Sequence, residues 1–181
     1  MLPKIQNSRV VAHSRLFSIE EIDLRFSNGA ERTFERIPKR GREGVIVCAI
    51  NDKHECILVR EYQAGTHRYE LVLPKGRVDE DESFEEAANR ELKEEAGLGA
   101  KTLRYMREMT IAPSHMGFSI HAVLATGLYS KTLIGDEPEP LEVVKWPMHQ
   151  LDELFVSDHL TEARSIATLT LAKILLKDSH D

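Results

Sequence analysis

The chain has 181 residues, 41% hydrophobic and 30% charged, a balance that suits one substantial globular domain and excludes a disordered chain. Its 30 Asp and Glu against 24 Lys and Arg leave a net charge of −6, opposite to the basic stripe on which electrostatic nucleic-acid binders rely. No apolar run approaches the ~18 residues of a membrane span, and Met1–Phe17 carries no signal-peptide core, so a cytoplasmic protein with no nucleic-acid or membrane partner is expected.

In chain order, Arg9–Ala12 is a short apolar-centred strand signal. Phe17–Phe26 and Glu31–Ile37 alternate around Ser27-Asn28-Gly29, which predicts a β-hairpin, and Pro38–Gly41 is a polar break. Gly44–Ile50 and Cys56–Tyr62 are apolar strands, expected to form a second hairpin through Asn51–His54, with Cys48 and Cys56 as buried free thiols. Tyr69–Leu73 is a strand ending at Pro74. The clearest helix is Ser83–Ala96: Ser83 and Glu86 fit a capping box, Gly97 a left-handed stop, and Phe84, Ala87, Ala88, Leu92 and Ala96 an apolar stripe. Thr102–Met109 and Phe118–Thr126 read as strands, Gly135–Pro140 (GDEPEP) as an acidic loop and Val143–Trp146 as a strand. A short helix over Pro147–Phe155 and a packing helix over Thr161–Lys177 follow, the latter with Ile166, Leu169, Leu171, Ile174 and Leu175 as its stripe. There is no internal repeat or linker. One α+β or α/β domain is predicted, with a β extension at residues 1–42 ahead of the main body at 43–181.

Gly76–Leu98 holds nine acidic residues in 23 positions. Glu91, Glu94 and Glu95 are spaced i, i+3, i+4 and so share one face of one turn, where like charges repel. They also lie near the helix C-terminus, where the dipole disfavours anions. Either this is a solvated acidic face or it collects a cation, and Mg²⁺ binds through such carboxylates together with substrate phosphates. Gly76 suits a close backbone approach. Arg90 can brace the carboxylates by pairing with Glu86 or Glu94, and Glu82 can reach the free N–H groups at the helix start.

Read in register, Gly76, Glu82 and Arg90-Glu91-Leu92-Lys93-Glu94-Glu95-Ala96-Gly97-Leu98 fill all nine specified positions of G-x5-E-x7-R-E-U-x-E-E-x-G-U, where U is a bulky aliphatic. The segment resembles the Nudix box, and the surrounding elements resemble a Nudix domain. Val59–Asp79 is similar to the ADP-ribose pyrophosphatase branch, in which a REY-like strand leads through a proline to the box. AHSRLF (12–17), AANRELKEE (87–95), APS (112–114), GDEPEPL (135–141) and EAR (162–164) extend the likeness to bacterial hydrolases of ADP compounds over nearly the full length. The resemblance implies an α/β/α sandwich with a mixed central sheet and an antiparallel N-terminal β extension. It implies Mg²⁺-dependent hydrolysis, with Mn²⁺ a substitute, of the pyrophosphate bond in ADP-ribose, NADH and diadenosine polyphosphates, releasing AMP. It also implies a homodimer framed by the N-terminal strands.

Carried over residue by residue, the metal ligands fall on Glu91 and Glu95, with Glu94 assisting and Lys75 contributing its backbone carbonyl. The general base lies on the acidic loop: Glu137 by alignment, with Glu139 as a further metal ligand and Glu142 as a rival base. Gln63 stands where the branch carries an arginine, which leaves Arg60 to replace it at the diphosphate. Gly76, Arg36 and Arg42 are the other substrate-binding candidates. His115 and Trp146 read as ordinary surface or core residues. A nucleotide-sugar (GDP-mannose) or RNA 5′-end pyrophosphohydrolase, or a non-catalytic nucleotide-binding module, are the competing readings.

Overall fold

The computed structural model describes residues 1–39, 41 and 43–177. Contacts divide the chain into two compact units, one of residues 1–41 with 109–119 and the other of the remainder.

In the first unit β1 (Lys4–His13), β2 (Ser18–Arg25) and β3 (Glu31–Arg36) form an antiparallel sheet in that order. The hairpin expected around Ser27-Asn28-Gly29 is present, with Gly29 at φ 85° and Asn28 Oδ1 accepting from Ala30 N at 3.1 Å. β1 is longer than Arg9–Ala12 suggests. Every residue of it is exposed, and the register slips between Ile5 and Asn7 and between Val10 and Ala12. Those slips blur the alternation that marks a strand in sequence. The unit is closed by residues 109–119, where Ile37 N donates to His115 O and Gly117 N to Ile37 O, both at 2.8 Å.

Most of two further sheets lies in the second unit. β4 (Gly44–Ala49) sits between β7 (Lys75–Arg77), antiparallel to it, and β9 (Phe118–Ser130), parallel to it; β8 (Leu98–Ile111) lies beyond β9. This is the mixed central sheet of the expected α/β class. β5 (Glu55–Gln63) sits between β10 (Glu142–Pro147) and β6 (Arg68–Val72), antiparallel to both.

The second hairpin is therefore corrected. Asn51 closes the turn, its Oδ1 accepting from Lys53 N and Glu55 N, but only Ile50 and Cys56 bridge the two strands. β4 is buried along its whole length and β5 through Cys56–Val59. Both are interior strands that need two neighbours each, and the turn delivers them to different sheets.

The helix α1 (Phe84–Glu95) packs on β4 and β7. Ala87, Ala88 and Leu92 join Val45, Val47, Ile57 and Val123 in the core, all fully buried. The capping box is complete: Ser83 Oγ accepts from Glu86 N at 3.2 Å, and Glu86 accepts from Ser83 N at 2.9 Å. Gly97 at φ 66° ends the helix, and the chain returning from β9 caps it further, with Lys131 N donating to Gly97 O and Leu133 N to Lys93 O. A 3₁₀ turn (Met148–Gln150) leads into α2 (Leu151–Phe155), and α3 (Ala163–Lys177) follows.

α3 packs, but its buried face shares only Leu169 with the expected stripe. Its buried residues are Ser165, Thr168, Leu169 and Ala172, while Ile174 is 53% exposed. Ser165 is satisfied in the interior, its Oγ donating to Glu162 and accepting from Leu73 N at 2.9 Å. Cys48 and Cys56 are buried free thiols, as expected. Among the described residues no helix is long and apolar enough to cross a membrane.

Candidate active site

α1 presents Glu91, Glu94 and Glu95 to a cleft of about 760 Å³ that Lys75, Gly76 and Glu137 also line. Glu91 and Glu95 are each 8% exposed, which is unusual for carboxylates. Gly76 makes this possible. A Cβ built there would collide with the Glu91 carboxylate, so only glycine lets the β7 backbone and that side chain approach so closely. Glu95 meets the same strand, accepting a hydrogen bond from Lys75 N at 3.3 Å.

The electrostatics follow from that burial. Burial pushes the Glu95 carboxyl from its ordinary 4.5 to about 9; Glu61 and Glu91 add to the rise and Lys75 opposes it. Glu91 is also raised, by burial first, with Arg90 opposing and Glu94 and Asp136 adding. Such a pair favours protons unless another cation takes their place. The donors are oxygens throughout, which suits a hard ion such as Mg²⁺ or Mn²⁺. These residues therefore fit the divalent cation that Nudix hydrolases use.

Arg90 braces the cluster. Its guanidinium donates to Glu91 at 2.8 Å, Glu94 at 3.0 Å, both Glu82 oxygens at 3.0 Å and the Arg77 carbonyl at 2.7 Å. Of the two partners foreseen for it, Glu94 is used and Glu86 is not, because Glu86 is committed to the capping box. Glu82 holds Arg90 and the Asp79 N–H rather than the helix-start amides. The planar, multidentate guanidinium can fix several carboxylates at once, which a lysine could not do.

The acidic loop contributes Asp136 and Glu137 to the cleft. Gly135 lies against Glu94, where a Cβ would come within 3.2 Å of the Glu94 Cβ. Although Glu137 is exposed as a residue, the part of its carboxyl that faces the cleft is desolvated, which raises it first, followed by Glu61 and Asp136. Glu139 does not line the cleft; Tyr69 donates its hydroxyl proton to it. Glu142 pairs with Arg60 at 3.1 Å across the β5–β10 register. Arg36, in the first unit, pairs with Glu20 at 2.6 Å, and Arg42 lies outside the described residues.

Two acidic residues of the site were missed in sequence. Glu61 forms an ion pair with Lys75 and raises both Glu95 and Glu137. Asp136 bears on Glu91 and Glu137. Asp136 sits inside the acidic loop already singled out, whereas Glu61 lies near the far end of a strand with an apolar centre, and its one signal was membership of the REY stretch.

Comparison with known proteins agrees with this geometry. Residues 40–169 match the NUDIX domain family, and residues 3–36 match the NudE-type Nudix hydrolase N-terminal domain. The chain is 46% identical over 175 residues to the ADP compounds hydrolase NudE of Escherichia coli (strain K12), covering 97% of this chain and 94% of that one. It is 27% identical over 169 residues to the ADP-ribose pyrophosphatase of Bacillus subtilis (strain 168), covering 90% of each. A crystal structure of an ADP compounds hydrolase superposes with a TM-score of 0.93 at 44% identity, over 99% of this chain and 96% of the other. The capped helix, the braced carboxylates on it and the full-length similarity have one reading: the chain belongs to the Nudix hydrolase family, with an N-terminal segment of the NudE type.

Proposed function

We propose that the chain is a Mg²⁺-dependent pyrophosphohydrolase of ADP-containing compounds such as ADP-ribose, NADH and diadenosine polyphosphates, releasing AMP in the cytoplasm. The observation that carries the reaction class is the convergence of two buried carboxylates, Glu91 and Glu95, on the glycine backbone of β7. The substrate class rests on full-length similarity to a relative named for ADP compounds.

A divalent ion supplies charge neutralisation at the diphosphate and lowers the pKa of the water it binds. Glu91 and Glu95 would hold it, with Glu94 beside them and the Lys75 carbonyl as an additional donor. Arg90 fixes the rotamers of Glu91 and Glu94. Glu137 accepts the proton of the attacking water: its raised pKa brings it nearer neutrality, where a base is most effective. Glu139, which accepts from the Tyr69 hydroxyl, would have to leave that partner to serve as a further ligand. Arg60, with Arg36 and Arg42, meets the diphosphate or its flanking groups.

Residues 1–42 are proposed as a segment that joins two copies of the chain and frames the adenine, ahead of a hydrolase body at 43–181. The exposed Ile5, Val10, Val11 and Phe34 support a dimerising role; sedimentation of the intact chain tests it.

The deciding experiment is a panel of ADP-ribose, NADH, diadenosine triphosphate, GDP-mannose and 5′-triphosphate RNA with Mg²⁺, read by product chromatography. AMP release from the first three at the highest kcat/KM is expected. Preference for GDP-mannose or RNA would replace the substrate class but keep the reaction.

A further inference from the structure

A second group of ligating side chains gathers on the same unit, outside the cleft. His121 on β9, Glu108 on β8 and Glu43, just before β4, each bring one ligand atom within 4.8 Å of the others. His121 is 5% exposed. Its ring is held from two sides: Phe84 stacks on it with centroids 3.7 Å apart and planes 11° off parallel, and the Tyr105 hydroxyl sits 3.1 Å from Nδ1. That leaves Nε2 as the free end of a fixed ring. Nε2 is buried and makes no hydrogen bond, yet it points into the carboxylates, with Glu43 Oε2 at 3.3 Å.

We infer that His121 Nε2, Glu43 and Glu108 form a second cation site, which takes a divalent first-row transition ion of the Zn²⁺ class. Three features carry this. Ligands about 2.0–2.1 Å from a tetrahedral ion stand about 3.3 Å from one another, which is the Nε2–Oε2 separation observed. A ligating imidazole commonly has its other nitrogen held by an oxygen, which fixes tautomer and orientation; Tyr105 is placed for that role. Imidazole with two carboxylates suits Zn²⁺, Co²⁺ or Ni²⁺ better than Mg²⁺, which takes oxygen donors. The site is thus chemically distinct from the all-oxygen cluster on α1.

Its position suggests structural work. An ion there joins β8, β9 and the entry to β4. The Glu43 carbonyl also accepts from Val78 N at 2.9 Å, and Phe84, the first residue of α1, lies on the ligating ring. The loop and helix start that precede the box carboxylates are thereby tied to the same point.

The test uses Co²⁺ as a spectroscopic probe, titrated into the intact protein with Mg²⁺ in excess and then displaced by Zn²⁺. The wild type and Glu95→Gln should each show a stoichiometric d–d signal, since the site does not depend on the box. His121→Phe should lose it. Glu108→Gln, a substitution of an exposed residue that leaves folding intact, should weaken it by about tenfold or more. Equal Co²⁺ affinity in wild type and Glu108→Gln overturns the inference, as does the lack of any Co²⁺ signal in the presence of Mg²⁺.

Discussion

The carboxylates of α1 and those of the acidic loop are equally dense in sequence but physically unlike. Glu91 and Glu95 are buried, raised in pKa and, with Glu94, set by a capped helix and one arginine. On the loop, every residue from Lys131 to Pro140 is exposed and none is in a helix or strand. Fixed, desolvated carboxylates suit holding an ion in one geometry. An exposed, irregular segment suits a group that must approach a substrate and withdraw. In the proposed mechanism, what separates ligand from base is therefore how firmly the backbone is held, not the number of acids.

That contrast can be broken at several points. The largest effect is expected for Glu95→Gln, which should lower kcat by about 10³-fold or more while the circular dichroism and melting profile persist. Retained Mg²⁺-dependent turnover would undo the assignment. On the loop, Glu137→Gln should reduce kcat by about 10²-fold with little change in Mg²⁺ affinity, and Glu139→Gln should change kcat far less. A reversed order of those two would move the base to Glu139.

Smaller than either comes the brace. Arg90→Lys keeps the charge but loses the fork, and should weaken Mg²⁺ binding by about tenfold, measured by calorimetry. The smallest effect is a pH trend in the metal-free protein. Glu95 is a carboxyl raised in the folded state from 4.5 to about 9. The native state therefore binds more protons than the unfolded one across that interval, and its contribution to stability is complete below 4.5 and lost as pH rises toward 9. The melting temperature without metal should fall over that range, and saturating Mg²⁺ should flatten the fall. A flat metal-free profile would mean that Glu95 is not desolvated as described.

Local spacing made α1 legible in sequence. Its cap, stop and carboxylate face all lie within one or two turns, and the box register follows from the same residues. Partner choice between strands was not local. Asn51–His54 gives the same turn signature whether its strands pair or separate, and only the burial of both faces of β4 distinguishes the cases. β7, at three residues, is too short for a period to register. The α3 stripe was misread in part because Ser165 is buried through its hydrogen bonds and Thr168 is buried with its hydroxyl unpartnered, so hydrophobicity marks neither. Glu61 escaped notice because an acid that belongs to no cluster has no spacing to betray it.

The returning chain that caps α1 gives the loop a fixed root. Leu133 is anchored to Lys93 on the last turn of the helix, and Glu137 follows four residues later. An extended leash of that length reaches at most about 14 Å. Glu137 is thus tethered within that distance of the helix that carries Glu91 and Glu95. For the base proposed on this loop, the tether shortens the search for the site, as an intramolecular reaction does.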